Sequence, residues 1–161
     1  MDRLVIPFTT RTEFQQHLAS CLSRAEQTLQ LFDPDYGIWE LGSSASDAQL
    51  RRFLHGGGRL QLVGHDGRHI EREAPRFLRL FKDYGHLIEV RRTSQQLRQL
   101  SDSFCIADQR DIVRRFHADH FRGEAVFNGP QDLQTSLERF LTIWIESGPG
   151  LLANATGLSA S

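Results

Sequence analysis

Arginine is the side chain most able to do chemistry in this sequence, and its most suggestive copies fall between residues 91 and 122. Of the 19 basic residues only Lys82 is lysine. The guanidinium fork suits carboxylate and phosphate oxygens, although codon bias in a GC-rich genome and ordinary surface solvation would produce the same surplus. Arg114 and Arg115 are consecutive in Asp111-Ile-Val-Arg-Arg-Phe-His117. On a strand, neighbours point to opposite faces, so only one of the two can enter a given cleft. Alternation groups Arg115 with Val113 and His117, and Arg114 with Ile112 and Phe116. Arg91 or Arg92, at the exit of an earlier strand, would supply a second fork, and His120 and Arg122 would lie in the following loop. Arginines that converge without carboxylates are unfavourable unless an anion completes the site. The competing arrangement is internal pairing with Asp102, Asp108, Asp111 or Glu124.

Other constellations are weaker. His117, Asp119 and His120 are metal-ligand types, but no further partner is identifiable, and neither a metal nor a cofactor is expected. His55-Gly-Gly-Gly58 resembles an esterase oxyanion-hole motif, yet no Gly-x-Ser-x-Gly elbow accompanies it, and a glycine helix stop explains it better. His65-Asp66 reads as a turn. The acyl-CoA signature of acetyltransferases is absent. Cys21 and Cys105 sit in apolar surroundings and read as small buried hydrophobes.

The chain has 161 residues, 39% hydrophobic and 24% charged, with a net charge of −1. That is enough for one globular domain with a real core. The charge balance gives no electrostatic drive towards nucleic acid, and zinc-finger spacing is absent. Met1 to Phe8 has no signal-peptide core and no run approaches membrane-spanning length, so a soluble cytoplasmic protein without membrane insertion is expected.

The elements that must position these residues can be read in order. Val5–Phe8 is a short edge segment, since Pro7 cannot donate to a ladder. Thr10-Arg-Thr-Glu13 is a capping box opening a helix over about 11–26, with Phe14, Leu18, Leu22 and Ala25 inward. Thr28–Phe32 is a strand, ended by the turn Asp33-Pro-Asp35. Ser46 with Gln49 opens a second helix, stopped by Gly56–Gly58, and Arg59–Val63 is the next strand. A helix follows over about Ile70–Tyr84, with Pro75 better suited to a first turn than an interior. Leu87–Val90 is a strand from which Arg91, Arg92 and Thr93–Gln96 exit. Ser103–Asp108 and Asp111–His117 form a strand pair, and Arg122–Phe127 leads into a last amphipathic helix that begins near Pro130 and carries Leu133 to Ile145. Residues 148–161 read as a loosely packed tail. The expectation is one domain over 1–161, α/β, with a mixed β-sheet flanked by helices.

Two blocks resemble the phospholipase D superfamily, over about residues 28–147. Leu29-Gln-Leu-Phe-Asp-Pro-Asp-Tyr36, then Leu50-Arg-Arg-Phe-Leu54, Gly57-Gly58 and Arg59-Leu-Gln-Leu-Val63, are similar to the first strand–helix–strand of one half. Phe104 to Ser147 is similar to its later part, with Asp108, Glu124-Ala-Val-Phe127 and Phe140…Trp144. The resemblance implies a phospholipase D-like half. It also implies a motif of His-x-Lys, four spacers and Asp, in which histidine attacks phosphorus and lysine holds phosphoryl oxygens. Counting back from Asp108 places Ser101 and Ser103 at the histidine and lysine positions, and His-x-Lys occurs nowhere in the chain. The implied protein is a degenerate half: a non-catalytic binding or regulatory module for an anionic, phosphate-bearing ligand or a protein partner. The alternative is a residual enzyme with weak or altered phosphoryl-ester chemistry. Catalytic members resemble two packed halves, which suggests a homodimer.

Overall fold

The computed structural model describes residues 2–152. An eight-stranded mixed sheet runs through them in the order β1-β7-β6-β5-β2-β3-β4-β8. Its parallel centre is β2 (Thr28–Asp33), β3 (Arg59–Gly64) and β4 (Ile88–Thr93), joined by helical crossovers. β5 (Ser103–Ala107) runs antiparallel to β2, followed by β6 (Asp111–Arg115) and β7 (Gly123–Phe127). β1 (Leu4–Phe8) closes that edge against β7, and the two-residue β8 (Ser147–Gly148) closes the other against β4.

Local chemistry explains most element boundaries. Thr10 caps α1 (Arg11–Arg24) by accepting from Glu13 N–H, and the Glu13 carboxylate accepts from Thr10 N–H in return. α2 (Ser44–His55) starts two residues before the expected Ser46, because the Ser43 hydroxyl is the cap and Ser46 N–H its donor. The helix expected over 70–84 is two, α3 (Arg68–Glu73) and α4 (Pro75–Asp83), since Pro75 occupies the first turn of the second. β4 continues through Arg91, Arg92 and Thr93 rather than ending at Val90, because Val63 and Gly64 of β3 still pair with Arg91 and Arg92. The segment before the last helix is itself the strand β7. Pro130 opens a 3-10 turn, and α5 proper spans Gln134–Ile145.

Helices cover both faces. Leu29, Leu31, Leu60, Leu62, Cys105 and Val113 bury one face against α1, α2 and α4. Phe32, Val63, Phe104, Ile106 and Ile112 bury the other against Phe140, Ile143 and Trp144 of α5. Leu151 and Leu152 are buried too, so the start of the expected loose tail is packed, and residues 153–161 lie outside the described residues. Among the described residues no helix is long and apolar enough to cross a membrane.

Candidate functional site

β2, β3 and β4 finish, and β5 begins, at one end of the sheet. Asp33, the last residue of β2, turns its carboxylate into the buried layer beneath α1. One carboxylate oxygen accepts from Asp35 N–H at 3.0 Å and from Tyr36 N–H at 2.6 Å. This local capture forms the turn and holds Tyr36 at φ 61°. The Tyr36 hydroxyl then donates to the Val63 carbonyl at 2.8 Å.

The other Asp33 oxygen faces Arg115 Nη2 at 3.4 Å. Arg115 closes β6 and is 5% exposed. Its Nε donates to Ser103 Oγ at 3.2 Å, and its Nη1 to the Ala118 carbonyl at 3.5 Å. The guanidinium stands 5.7 Å from the ring centres of both Phe14 and Phe121. Every one of its polar contacts is long. Burial pushes the Asp33 carboxyl up by more than the Ser103 hydroxyl, the Tyr36 N–H, Arg115 and the Asp35 N–H together pull it down.

On the other face of β5 and β6, a pocket of about 450 Å³ is lined by Ser101, Asp102, Arg114, Arg115, Ser136 and Arg139. Its arginines bring their own partners. Arg114 pairs with Glu124 at 2.6 Å and donates to Ser136 Oγ at 3.1 Å. Arg139 makes a two-pronged pair with Asp102. Ser101 lies on the pocket wall and Ser103 behind it in the core, and among the described residues neither is hydrogen-bonded to a histidine.

Asp108, which the resemblance aligns with the motif aspartate, is at the opposite end of the sheet. It adopts φ 56° just beyond β5, and its carboxylate accepts from Glu26, Gln27 and Thr28 N–H groups at 2.7–3.2 Å. Those contacts clamp the α1–β2 junction to the β5–β6 turn, which is an architectural role.

The structure separates the arginines and histidines grouped from the sequence. Arg114 and Arg115 both line the pocket beside Ser101, though the Arg115 guanidinium is turned to Ser103 and Asp33 in the buried layer. Arg91 instead donates to the Trp144 carbonyl at 2.8 Å, its guanidinium 4.3 Å from that indole. Arg92 points to another cavity and donates to the His65 carbonyl at 3.2 Å. His117 and His120 lie 5.8 Å apart in the exposed loop after β6, and each Nδ1 accepts from a backbone N–H. Arg122 stands over Phe116 in the same loop. Among the described residues no three His, Cys, Asp or Glu side chains are placed to hold a metal.

Neither Asp33 nor His65 stands out in the sequence, where both read as turn residues. His65 bridges Thr93 Oγ1 at 2.6 Å and the Leu100 carbonyl at 2.8 Å. Its Nε2–H donates to the carbonyl, so in the neutral ring Nδ1 accepts from the threonine hydroxyl. The available signal was position: each is polar and sits where a buried parallel strand ends, the usual place for sites in open α/β sheets.

One family model matches the chain, over residues 10–151, and is described as Domain of unknown function (DUF7931). No curated protein matches. Solved structures share the fold, three of them as follows. TrmBL2, an archaeal chromatin protein described as showing a novel mode of DNA binding, is 12% identical with a TM-score of 0.67. The alignment covers 92% of this chain and 54% of TrmBL2, so the chain spans about half that protein's length. Nuc from Salmonella typhimurium, a phospholipase D family member, is 16% identical with a TM-score of 0.63, covering 91% of this chain and 97% of Nuc. NucT from Helicobacter pylori is 8% identical with a TM-score of 0.65, covering 92% and 100%. At these identities the likeness is one of fold: an α/β, phospholipase D-like architecture.

Proposed function

Since the chain belongs to the family described as Domain of unknown function (DUF7931), and its fold is phospholipase D-like, we propose that it is a non-catalytic module of that fold. In this reading it binds an anionic, phosphate-bearing ligand or a protein partner at the sheet end that holds Ser101, Ser103 and Arg115. The observation that carries the reading is the chemistry at the two motif positions. Ser101 and Ser103 stand where the resemblance places a nucleophilic histidine and a phosphate-holding lysine. Ser103 is committed to Arg115 and Asp33 in the core. A serine without a base is a poor nucleophile, and loss of a covalent route removes many powers of ten in rate. Arg114 and Arg115 are the proposed ligand contacts, with His117, His120 and Arg122 in the adjoining loop. Arg91 and Arg92 point elsewhere.

Purified protein is expected to show no turnover of bis-p-nitrophenyl phosphate or phosphatidylcholine above a buffer blank. Turnover that survives stringent purification and disappears in Ser101→Ala would establish residual phosphoryl-ester chemistry instead. We also propose a homodimer, from the two-half arrangement that the resemblance implies. Light scattering at micromolar concentration is expected to give about twice the 18.4 kDa of the chain, and a monomer mass rejects it. Nucleic acid is a disfavoured partner despite the TrmBL2 likeness, because the net charge of −1 supplies no basic footprint.

A further inference from the structure

Beyond the ends of β3 and β4 lies a second pocket, of about 550 Å³, lined by His65, Asp66, Arg68, Glu71, Arg92 and Arg98. Its floor is fixed by close packing. A Cβ on Gly67 would come within 2.0 Å of the Leu151 carbonyl oxygen, so the 150–152 segment can pass there only over a glycine. The pocket is therefore walled by a packed chain segment as well as by side chains.

Its charges do not balance internally. Arg68 is consumed by Asp66, through contacts of 2.7–3.1 Å. Glu71 has a partner of its own. Arg92 is held over the cavity by one carbonyl, that of His65. Among the described residues neither Arg92 nor Arg98 pairs with a carboxylate, and the Arg98 side chain makes no hydrogen bond. The lining holds three arginines against two carboxylates, and neither Arg92 nor Arg98 forms an ion pair there, unlike Arg114 and Arg139 in the pocket beside Ser101. The Asp66 carboxyl is held down to about 2, chiefly by Arg68 with a smaller pull from Arg92, which agrees with a positive local field.

We propose that this pocket binds a phosphate group, free or as the end of a phosphomonoester, between Arg92 and Arg98. A phosphate dianion carries the two charges and the several acceptor oxygens that two forks can fill. A carboxylate offers one charge and fewer acceptors. This site is separate from the one beside Ser101, and its failure would leave the non-catalytic reading standing.

The test is calorimetric titration at low ionic strength with inorganic phosphate, AMP and acetate. Wild type, Arg98→Ala, the double variant Arg92→Ala/Arg98→Ala and Lys82→Ala are compared, with circular dichroism as the folding check. Wild type is expected to bind phosphate or AMP below millimolar concentration and to bind acetate at least tenfold more weakly. Arg98→Ala should weaken binding and the double variant should lower it at least tenfold, while Lys82→Ala, a cation that lines neither pocket, leaves it unchanged. The proposal is overturned if neither phosphate nor AMP binds, if acetate binds equally well, or if the double variant binds like wild type. An equal loss in Lys82→Ala would mark a general effect of surface charge and also overturn it.

Discussion

Two buried carboxylates, at opposite ends of one sheet, meet different surroundings. Asp111 opens β6 and accepts from Arg24 Nε at 3.0 Å, Arg110 Nη2 at 3.0 Å and Asn128 N–H at 2.9 Å. Burial pushes its carboxyl up, but Arg110, Arg24 and the Asn128 N–H outweigh burial and hold it below the ordinary range. Asp33 closes β2 at the other end, with one guanidinium at 3.4 Å, and there burial wins. The Asp111 end also holds Asp108 with its three backbone donors, so charge there is fully matched to structure. At the Asp33 end the contacts of Arg115 are long and the match is incomplete. Imperfectly compensated, buried ionisable groups at the end of a parallel sheet are where functional sites concentrate. Within the proposed reading, the motif has split along the same line. In that reading Asp108 stands at the architectural position, and Ser101 and Ser103 at the reactive ones.

The sharpest way to break this comparison is to neutralise both carboxylates alike. Asp111→Asn removes charge from a carboxylate that two guanidiniums share and turns an amide N–H₂ towards them. Charged hydrogen bonds contribute about 1.5–3 kcal/mol each, so a loss of about 3 kcal/mol is expected. Asp33→Asn keeps an oxygen for the Tyr36 N–H and removes a charge that burial already disfavours. Arg115 keeps Ser103 and its two aromatic neighbours, so about 1–2 kcal/mol is expected. The pH dependences should have opposite signs. The depressed Asp111 carboxyl contributes stability that is complete above its unfolded value of about 3.9 and is lost as pH falls below it. The raised Asp33 carboxyl makes the folded state bind the extra proton, so wild type gains stability as pH falls from neutrality through that folded value. Urea denaturation of the three proteins at about pH 7, 5 and 3.5 reads both effects. The cost of Asp33→Asn should grow as pH falls from 7 towards the unfolded carboxyl value, while that of Asp111→Asn stays flat and then shrinks in acid. Equal costs with parallel pH profiles would dissolve the distinction between the two ends.

The sequence exposed the elements better than it exposed the site, for a physical reason. Helix α1 was legible because its capping box and its buried Phe14, Leu18 and Leu22 are local patterns with a fixed period. The division at Pro75 was half legible, since proline announces a first turn without saying that another helix precedes it. β4 was cut short at Val90 because arginines carry no strand signal; pairing with β3 keeps Arg91 and Arg92 extended. β7 was missed as a strand because its partners β1 and β6 come from distant parts of the chain. The site is made of such distant pairings. Asp33 meets Arg115 across 82 positions, and His65 meets Thr93 across 28. No periodicity encodes those meetings, so both residues read as turns. The grouping of Arg91 and Arg92 with Arg114 failed similarly: β4 and β6 are separated in the sheet by β3, β2 and β5.

The finest comparison is within β6 itself, between Arg115 facing the buried layer and Arg114 facing the pocket. Glu124 is the cross-strand partner of Arg114 in register, and their side chains remain 29% and 26% exposed respectively. Directly opposed, oppositely charged pairs on neighbouring strands contribute about 0.2–1 kcal/mol, and solvent holds exposed pairs to the lower part of that range. A double-mutant cycle over Arg114→Ala and Glu124→Ala should therefore give a coupling of about 0.5 kcal/mol that falls with added salt. Each single variant should fold normally. A ligand for this pocket would have to displace so weak a pair, which keeps Arg114 available despite its partner. A coupling above about 2 kcal/mol, insensitive to salt, would mean that Arg114 is locked into the sheet and closed to any ligand. It would also make the pocket end of β6 as fully compensated as the Asp111 end, and remove the reason to look for an anion beside Ser101.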